Sequence, residues 1–106
     1  MIHNVTVSEL KELLDNNADI TLIDCREQGE WDEARIEQAK LIPLSDFQNQ
    51  YSEILKDKDA KILIHCRSGK RSLQACQILM QEGYSNLSNI EGGILAWDEN
   101  GFPILR

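Results

Sequence analysis

The segment with the clearest chemical potential reads Cys-Arg-Ser-Gly-Lys-Arg-Ser and spans residues 66–72. It holds one cysteine, one glycine and three cations, and it follows a short apolar run that has the composition of a buried strand. The periodicity behind it predicts a helix over residues 72–82. At such a helix start, backbone N–H groups and the helix dipole stabilise negative charge. The pattern therefore indicates an anionic group held in a loop.

Cys66 is the candidate catalytic nucleophile of that loop. A helix N-terminus and neighbouring cations lower a cysteine pKa from about 8.5 to roughly 3.5–7.5, and the thiolate is the reactive form. A free cysteine is often an inert core residue, but a parallel α/β sheet binds ligands at the carboxyl ends of its strands, where Cys66 is expected. Because neighbouring strand residues point to opposite faces, we expect the His65 ring to lie away from the sulfur.

The other loop residues each have a candidate role around this sulfur. Gly69 would let several N–H groups converge on one anion, because glycine tolerates backbone angles that other residues resist. Arg67 and Lys70 would attract an anionic substrate, and Arg71 would close the loop through hydrogen bonds to loop carbonyls. Ser72 is expected either to begin the helix or to place its hydroxyl near the sulfur. The predicted substrate-binding set is Arg67, Ser68, Gly69, Lys70, Arg71 and Ser72.

The remaining cysteines have competing interpretations. Cys76 lies on the apolar stripe of the helix predicted over residues 72–82, which favours core packing. Cys25 ends a buried strand near the same sheet edge; packing is its favoured role, and a resolving thiol is the alternative. Three widely spaced cysteines form no disulfide framework and suggest a reducing compartment. Because there is no Cys-x-x-Cys pair and His3 lies far from His65, no metal site is predicted.

Length and composition bound the class of protein. With 106 residues the chain is expected to be one domain, 1–106, and its 42% hydrophobic and 27% charged residues are typical of a soluble globule. The net charge of −7 argues against nucleic-acid binding, which needs a basic face. The N-terminus lacks the features of a signal peptide, and no stretch approaches the roughly 18 apolar residues of a membrane span. We therefore expect a cytoplasmic protein without nucleic-acid or membrane partners.

The elements that position the loop follow from the alternation of apolar runs with helical periodicity, which predicts a three-layer α/β/α domain. Residues 6–9 form a capping box and predict a helix start, and Ser45 is the expected N-cap of a later helix. Residues 20–25 and 61–65 predict strands that are buried on both faces. The helix after the loop is expected to face the core with Leu73, Cys76, Leu79 and Met80. The helix after Ser45 is expected to present, on one side, Phe47, Tyr51, Ile54 and Leu55.

Three segments of the chain resemble single-domain rhodaneses, the sulfurtransferases that hold a persulfide on one cysteine. Cys66–Ser72 looks like their active-site loop. Leu22–Glu27, continuing to Ile42–Leu44, resembles the N-terminal signature of the family, and Glu91–Trp97 with Gly101–Ile104 resembles its C-terminal signature. The resemblance implies a rhodanese-like fold with a central, mainly parallel five-stranded sheet.

The resemblance also implies a thiosulfate sulfurtransferase that uses no cofactor. The Cys66 thiolate would take the outer sulfur of thiosulfate, or of another sulfane-sulfur donor, and pass it to cyanide, a small thiol or a protein thiol. Such covalent catalysis in two half-reactions should show ping-pong kinetics. Three residues of the N-terminal signature are expected to brace the loops around the site: Asp24, Arg26 and Glu27.

Two alternatives and one departure accompany this interpretation. The domain could be a persulfide relay that binds dedicated partner proteins. A phosphatase or arsenate reductase on the same fold would have five residues between its cysteine and arginine, whereas four separate Cys66 from Arg71, which favours sulfur. The departure is Ala34–Ile36 followed by Glu37–Ala39, where the family usually shows Gly-His-Ile and Pro-Gly-Ala. Arg35 replaces that histidine, and the change is expected to alter loop support or the substrate mouth.

Overall fold

The fold is built around five short parallel strands, and the computed structural model describes all residues, 1–106. The strands are β1 Ile2–Val5, β2 Thr21–Asp24, β3 Ala39–Leu41, β4 Ile62–His65 and β5 Leu87–Ile90. The helices are α1 Val7–Asp15, α2 Gln28–Glu33, α3 Phe47–Ile54, α4 Lys70–Gln81 and α5 Gly93–Glu99. A 3-10 turn, Leu44–Asp46, leads directly into α3.

The sheet has the order β1-β5-β4-β2-β3, and every neighbouring pair is parallel. This confirms the predicted five-stranded sheet. The strand β4 occupies the centre, so its carboxyl end is flanked by the ends of β2 and β5. Residues that follow these three strands therefore meet at one edge, as the position of the loop required.

Alternating strand residues divide the core into two halves, one on each face of the sheet. Ile23 and Ile64 point to a cluster that includes Phe47 of α3 and Leu79 of α4. Their neighbours on the strands point the other way, into a cluster that includes Trp97 of α5. All four residues of β4 are buried, which explains its uninterrupted apolar sequence up to the histidine. The predicted three-layer arrangement is confirmed.

The start of α1 confirms the predicted capping box. Thr6 accepts a hydrogen bond from the Glu9 backbone N–H at 3.1 Å, and the Glu9 carboxylate accepts one from the Thr6 N–H at 3.2 Å. The prediction for the next cap was wrong, because α3 begins at Phe47 and the Ser45 hydroxyl donates to the Glu27 carboxylate instead. No helix in the molecule is long and apolar enough to cross a membrane.

The face of α4 was predicted only in part. The helix begins at Lys70, two residues earlier than predicted, and its buried residues are Ser72, Ala75, Cys76 and Leu79. Two residues expected in the core are exposed, Leu73 by 38% and Met80 by 41%. Each follows a buried residue directly, so it is turned about 100° around the helix axis, away from the sheet. On α3, Ile54 is likewise exposed, by 37%.

Candidate active site

The loop after β4 is the centre of the candidate site. Cys66 follows the last residue of the strand, and Gly69 is the N-cap of α4 with φ +111°. This left-handed conformation, which the sequence analysis expected of Gly69, turns the chain sharply from the strand into the helix. Ser68 lies at the exposed crest of the turn.

Cys66 is buried, with 1% of the residue exposed, and its sulfur lies at the start of α4. The Gly69 N–H donates a hydrogen bond to it at 3.1 Å. The Ser72 hydroxyl lies 3.4 Å away, which confirms one of its two expected roles. That hydroxyl has one proton, which it donates either to the thiolate or to Asn89 Oδ1, 2.5 Å away. The sulfur is thus surrounded by donors suited to an anion.

These donors lower the pKa of the Cys66 thiol to about 4. The largest contribution is a hydrogen bond from the neighbouring Cys25 thiol; Ser72 and Gly69 contribute further, and burial acts in the opposite direction. The same interaction, together with burial, raises the pKa of the Cys25 thiol far above its usual range. Because the Gly69 N–H points at the Cys66 sulfur, the negative charge of the pair resides on Cys66, and the Cys25 thiol keeps its proton.

The structure corrects the expectation for Arg71. Instead of binding loop carbonyls, its guanidinium forms two hydrogen bonds to the Glu30 carboxylate of α2, at 2.7 and 2.9 Å. This pair lowers the Glu30 pKa to about 2. Arg71 thereby ties the first turn of α4 to α2. The other two loop cations, Arg67 and Lys70, are exposed and make no side-chain hydrogen bond within the chain, which leaves them available to an anion from solution.

The loop carbonyls are bound by groups that the sequence analysis did not identify. Ile94 N–H donates to the Cys66 carbonyl at 2.9 Å, and Leu95 N–H donates to the Arg67 carbonyl at 3.2 Å. Both donors belong to the first turn of α5. The Asn89 side-chain amide donates to the Gly69 carbonyl at 3.2 Å. Asn89 had one signal in the sequence, because it is a polar residue near the end of a strand that is buried throughout.

A buried polar cluster lies below the loop and confirms two expectations. The His65 ring is fully buried, and its Nδ1 lies 3.2 Å from the Cys66 carbonyl rather than at the sulfur. Burial lowers the His65 pKa, so the ring is neutral. Arg26 pairs with Asp24 at 2.7 Å and also donates to the Ala34 carbonyl. This brace fixes the segment after β2, as expected from its sequence signature.

The remaining predicted residues lie outside the sulfur's immediate environment. The Arg35 guanidinium lies over the Trp31 ring, 5.3 Å from its centroid, and the Arg35 backbone pairs with Leu105. Arg35, which stands where the family usually has a histidine, therefore supports the chain around α2. The Cys76 thiol is fully buried, lies 3.6 Å from the Ser88 carbonyl, and has its pKa raised to about 12 by burial. Packing, its predicted role, is confirmed.

This geometry suits a nucleophile that accepts a single additional atom. The sulfur is ionised near neutral pH, and one backbone N–H already points at it. The Arg71 side chain is engaged by Glu30, so the loop presents backbone donors and the exposed side chains of Arg67 and Lys70. A small anion attacked by the thiolate would meet these groups first.

Comparison with known proteins gives consistent matches. Residues 6–100 match the family model described as Rhodanese-like domain. A protein of Allochromatium vinosum named sulfurtransferase is 39% identical over 105 residues, 99% of this chain and 96% of that protein. The putative sulfurtransferase YtwF of Bacillus subtilis is 35% identical over 102 residues, 96% of each. The crystal structure of a rhodanese-related protein from Thermoplasma volcanium matches with a TM-score of 0.83 at 30% identity, over 97% of both chains.

Proposed function

The chain belongs to the rhodanese-like domain family, and we propose that it is a thiosulfate sulfurtransferase that carries the transferred sulfur as a persulfide on Cys66. The observation that supports this assignment most directly is the environment of the Cys66 sulfur. It accepts the Gly69 N–H at 3.1 Å, and its pKa is lowered to about 4. A thiolate with these properties is ready to attack an electrophilic sulfur at neutral pH.

In the first half-reaction the Cys66 thiolate attacks the outer sulfur of thiosulfate. The sulfur–sulfur bond of thiosulfate breaks, and sulfite leaves with the bonding electron pair. The new terminal sulfur of the persulfide is negatively charged. The loop N–H groups between Arg67 and Arg71 are the donors proposed to hold it, in the manner of an anion-binding nest.

In the second half-reaction an acceptor nucleophile, cyanide or a thiol, attacks the terminal sulfur. The bond between this sulfur and the Cys66 sulfur breaks, and the electron pair returns to Cys66 as thiolate. Because donor and acceptor react in separate steps, the kinetics are ping-pong. Arg67 and Lys70 raise the local concentration of the thiosulfate dianion in a protein whose net charge is −7.

The proposal favours sulfur over phosphate for a structural reason. A phosphoryl group needs donors for three oxygens and therefore a wider loop. A phosphatase on this fold would have five residues between its cysteine and arginine, whereas four separate Cys66 from Arg71. The Arg71 guanidinium is also occupied by Glu30 through two hydrogen bonds. Negligible activity on aryl phosphates is therefore expected. Inserting one glycine between Ser68 and Gly69 should lower sulfur transfer, because the loop donors no longer converge.

A protein thiol is the second candidate acceptor. Leu73 lies in the first turn of α4, beside the exposed Lys70, and is itself 38% exposed. An apolar side chain next to a free cation suits contact with an acidic protein surface. In that case the domain would act as a persulfide relay, with slow turnover on small acceptors and faster turnover on its partner.

Intact mass spectrometry after incubation with thiosulfate tests the proposal. At the earliest times sampled the native chain should gain one sulfur atom, and Cys66→Ser should gain none. Cys76→Ser is the matched control, because it removes another fully buried thiol and should still be labelled. Labelling that survives the loss of Cys66 would refute the assignment of the sulfur carrier.

A further inference from the structure

Cys25 lies directly opposite Cys66 across two neighbouring strands. In the register of β2 and β4, Asp24 pairs with His65, and the Cys25 N–H donates to the His65 carbonyl at 3.0 Å. The next residues along the two strands are Cys25 and Cys66. Adjacent strands lie about 4.8 Å apart, within the separation of roughly 4.4–6.8 Å at which two Cα atoms accept a disulfide.

The two cysteines also point to the same side of the sheet. Both belong to the core cluster that contains Ile23 of β2 and Ile64 of β4, the residues two positions earlier on each strand. Side chains that share a register and a face are cross-strand neighbours. The largest contribution to the lowered pKa of Cys66 is the hydrogen bond from this neighbour, Cys25.

In the proposed transfer of sulfur the Cys25 thiol forms and breaks no covalent bond. The thiol is fully buried, so external donors and acceptors do not reach it. Its neighbour Cys66 is 1% exposed and lies at the loop. Any reaction of Cys25 is therefore with Cys66, and a persulfide on Cys66 is an electrophile held beside it.

We propose that Cys25 is a resolving thiol that converts the Cys66 persulfide into a Cys25–Cys66 disulfide and releases sulfide. The inference rests on the proposed function, because that function supplies the persulfide. The Cys25 thiol gives its proton to the negatively charged outer sulfur, and the resulting Cys25 thiolate attacks the inner sulfur, which is the Cys66 Sγ. The bond to the outer sulfur breaks, and the outer sulfur leaves as hydrosulfide with that electron pair and the proton from Cys25.

The step needs no external oxidant, since the outer sulfur is reduced as the Cys25 sulfur is oxidised. The disulfide is then returned to two thiols by a small or protein dithiol, which is oxidised in turn. With thiosulfate and a dithiol, the complete cycle yields sulfite and sulfide. An acceptor that attacks the outer sulfur competes with Cys25 for the same persulfide. With a dithiol as reductant and no competing acceptor, Cys25 thus makes the chain a sulfide-releasing reductase.

The experiment uses native chain that has been loaded with thiosulfate, freed of excess donor and kept without acceptor. Intact mass and released sulfide are followed over time. The native chain should lose its added sulfur, release one sulfide per persulfide, and become two hydrogen atoms lighter than the reduced chain. Peptide mapping after alkylation should place the disulfide between Cys25 and Cys66. The Cys76→Ser control should behave in the same way.

Cys25→Ser keeps a hydroxyl beside Cys66 but cannot form a disulfide. It should load and then retain its persulfide, with loss of sulfide release. Cys25→Ala removes the hydrogen bond as well and should also lose sulfide release. Native-like sulfide release from both variants would overturn the proposal, as would a native persulfide that decays without forming the disulfide.

A second donor separates this inference from the proposed function. If thiosulfate does not load Cys66, inorganic polysulfide is used to load it directly. Disulfide formation after polysulfide but not after thiosulfate would refute the proposed donor and support Cys25 as the resolving thiol. If neither donor places sulfur on Cys66, there is no persulfide to resolve, and both proposals fail.

Discussion

The two loops that begin α4 and α5 share one backbone design and use it differently. Each helix follows a buried strand and has a left-handed glycine as its N-cap, Gly69 with φ +111° and Gly92 with φ +76°. Neither helix has a side-chain cap. At α4 the Gly69 N–H binds the Cys66 sulfur, whereas at α5 the Ile94 N–H binds the Cys66 carbonyl.

The difference shows that the backbone N–H groups at a helix start can serve two purposes. They can bind a reactive group, or they can hold a neighbouring loop in place. An uncapped helix start leaves several N–H groups without partners inside the helix. At α4 one of these groups faces a reactive anion. At α5 they bind the carbonyls of the first loop and hold its backbone in place. The candidate active site therefore depends on two helix starts, of which only one touches the sulfur.

The largest expected effect comes from Gly93→Ala, which breaks the supporting helix start. A Cβ at Gly93 would lie 2.5 Å from the Arg67 carbonyl oxygen and closer still to that of Cys66, with φ already at +56°. We expect near-complete loss of persulfide formation and a destabilisation of about 3 kcal/mol or more. Thiosulfate loading and chemical denaturation measure the two effects.

Gly101→Ala is the matched control for that variant. Gly101 also has a positive φ, +72°, but its Cβ would meet nothing within 4 Å. It should cost about 1 kcal/mol and leave loading at the native level. Equal losses in the two variants would show that backbone strain, rather than displacement of the loop carbonyls, causes the defect.

The next effect concerns the start of α4, which faces the Cys66 sulfur. It is measured as the pH dependence of Cys66 alkylation. The pKa of Cys66 is lowered to about 4, and the hydrogen bond from Cys25 makes the largest contribution. Alkylation of Cys66 by iodoacetamide should therefore be nearly constant from about pH 6 to pH 8 in the native chain and fall towards pH 4 as the thiolate is protonated. In Cys25→Ala the fall should begin at higher pH, because the thiolate loses its strongest donor.

Ser72→Ala provides the comparison for that profile. It removes a smaller contribution to the lowered pKa of Cys66. The fall in alkylation should therefore begin at a higher pH than in the native chain, but the shift should be smaller than in Cys25→Ala. Cys76→Ala, which removes a thiol that does not contribute to the lowered pKa of Cys66, should leave the profile unchanged. A native profile that rises only above pH 8 would contradict the low pKa of Cys66.

A smaller effect is expected from the ion pair that ties α4 to α2. Glu30 has a pKa of about 2, below its ordinary value of 4.5, because Arg71 binds its charged form. The pair thus stabilises the fold above about pH 4.5, and this contribution disappears as the pH falls to about 2. Both side chains are about one-third exposed, so Glu30→Gln should cost only about 0.5–1 kcal/mol at pH 7.

The pH dependence separates this contribution from a general loss of packing. The difference in stability between native chain and Glu30→Gln should shrink between pH 4.5 and pH 2. Urea denaturation at several pH values measures it. A difference that stays constant over this interval would show that the charge on Glu30 does not stabilise the fold.

The smallest effect is expected from the exposed cations of the first loop. The double variant Arg67→Ala/Lys70→Ala should raise KM for thiosulfate severalfold at low ionic strength and change kcat little. Because both side chains are exposed, the difference should vanish at high salt. Lys40→Ala/Lys56→Ala removes the same charge from other exposed positions. If this control changes KM equally, net charge rather than the loop explains the effect.

Local patterns predicted most of the fold and the candidate nucleophile. Short apolar runs identify β2 and β4, because both strands are buried on both faces. Strand alternation placed the His65 ring away from the Cys66 sulfur, as observed. These features depend on residues close together in sequence, which is why periodicity and spacing predict them.

Partners distant in sequence were not predictable in the same way. Arg71 binds Glu30, 41 residues away, and nothing in the loop itself identifies that partner. Asn89 and the N–H groups of α5 reach the loop only because β5 lies next to β4. Leu73 was predicted to face the core because it is apolar. In the structure the preceding residue, Ser72, faces the core, and Leu73 is partly exposed.

The hydrogen bonds from α5 to the first loop have a consequence for synthesis of the protein. Chains emerge from the ribosome N-terminal end first. Cys66 leaves long before Ile94, whose N–H binds the Cys66 carbonyl, and before Leu105, which pairs with Arg35. The loop around the sulfur therefore gains its backbone support only after the first turn of α5 has emerged. Folding of the last helix thus completes the environment of a cysteine that was synthesised much earlier.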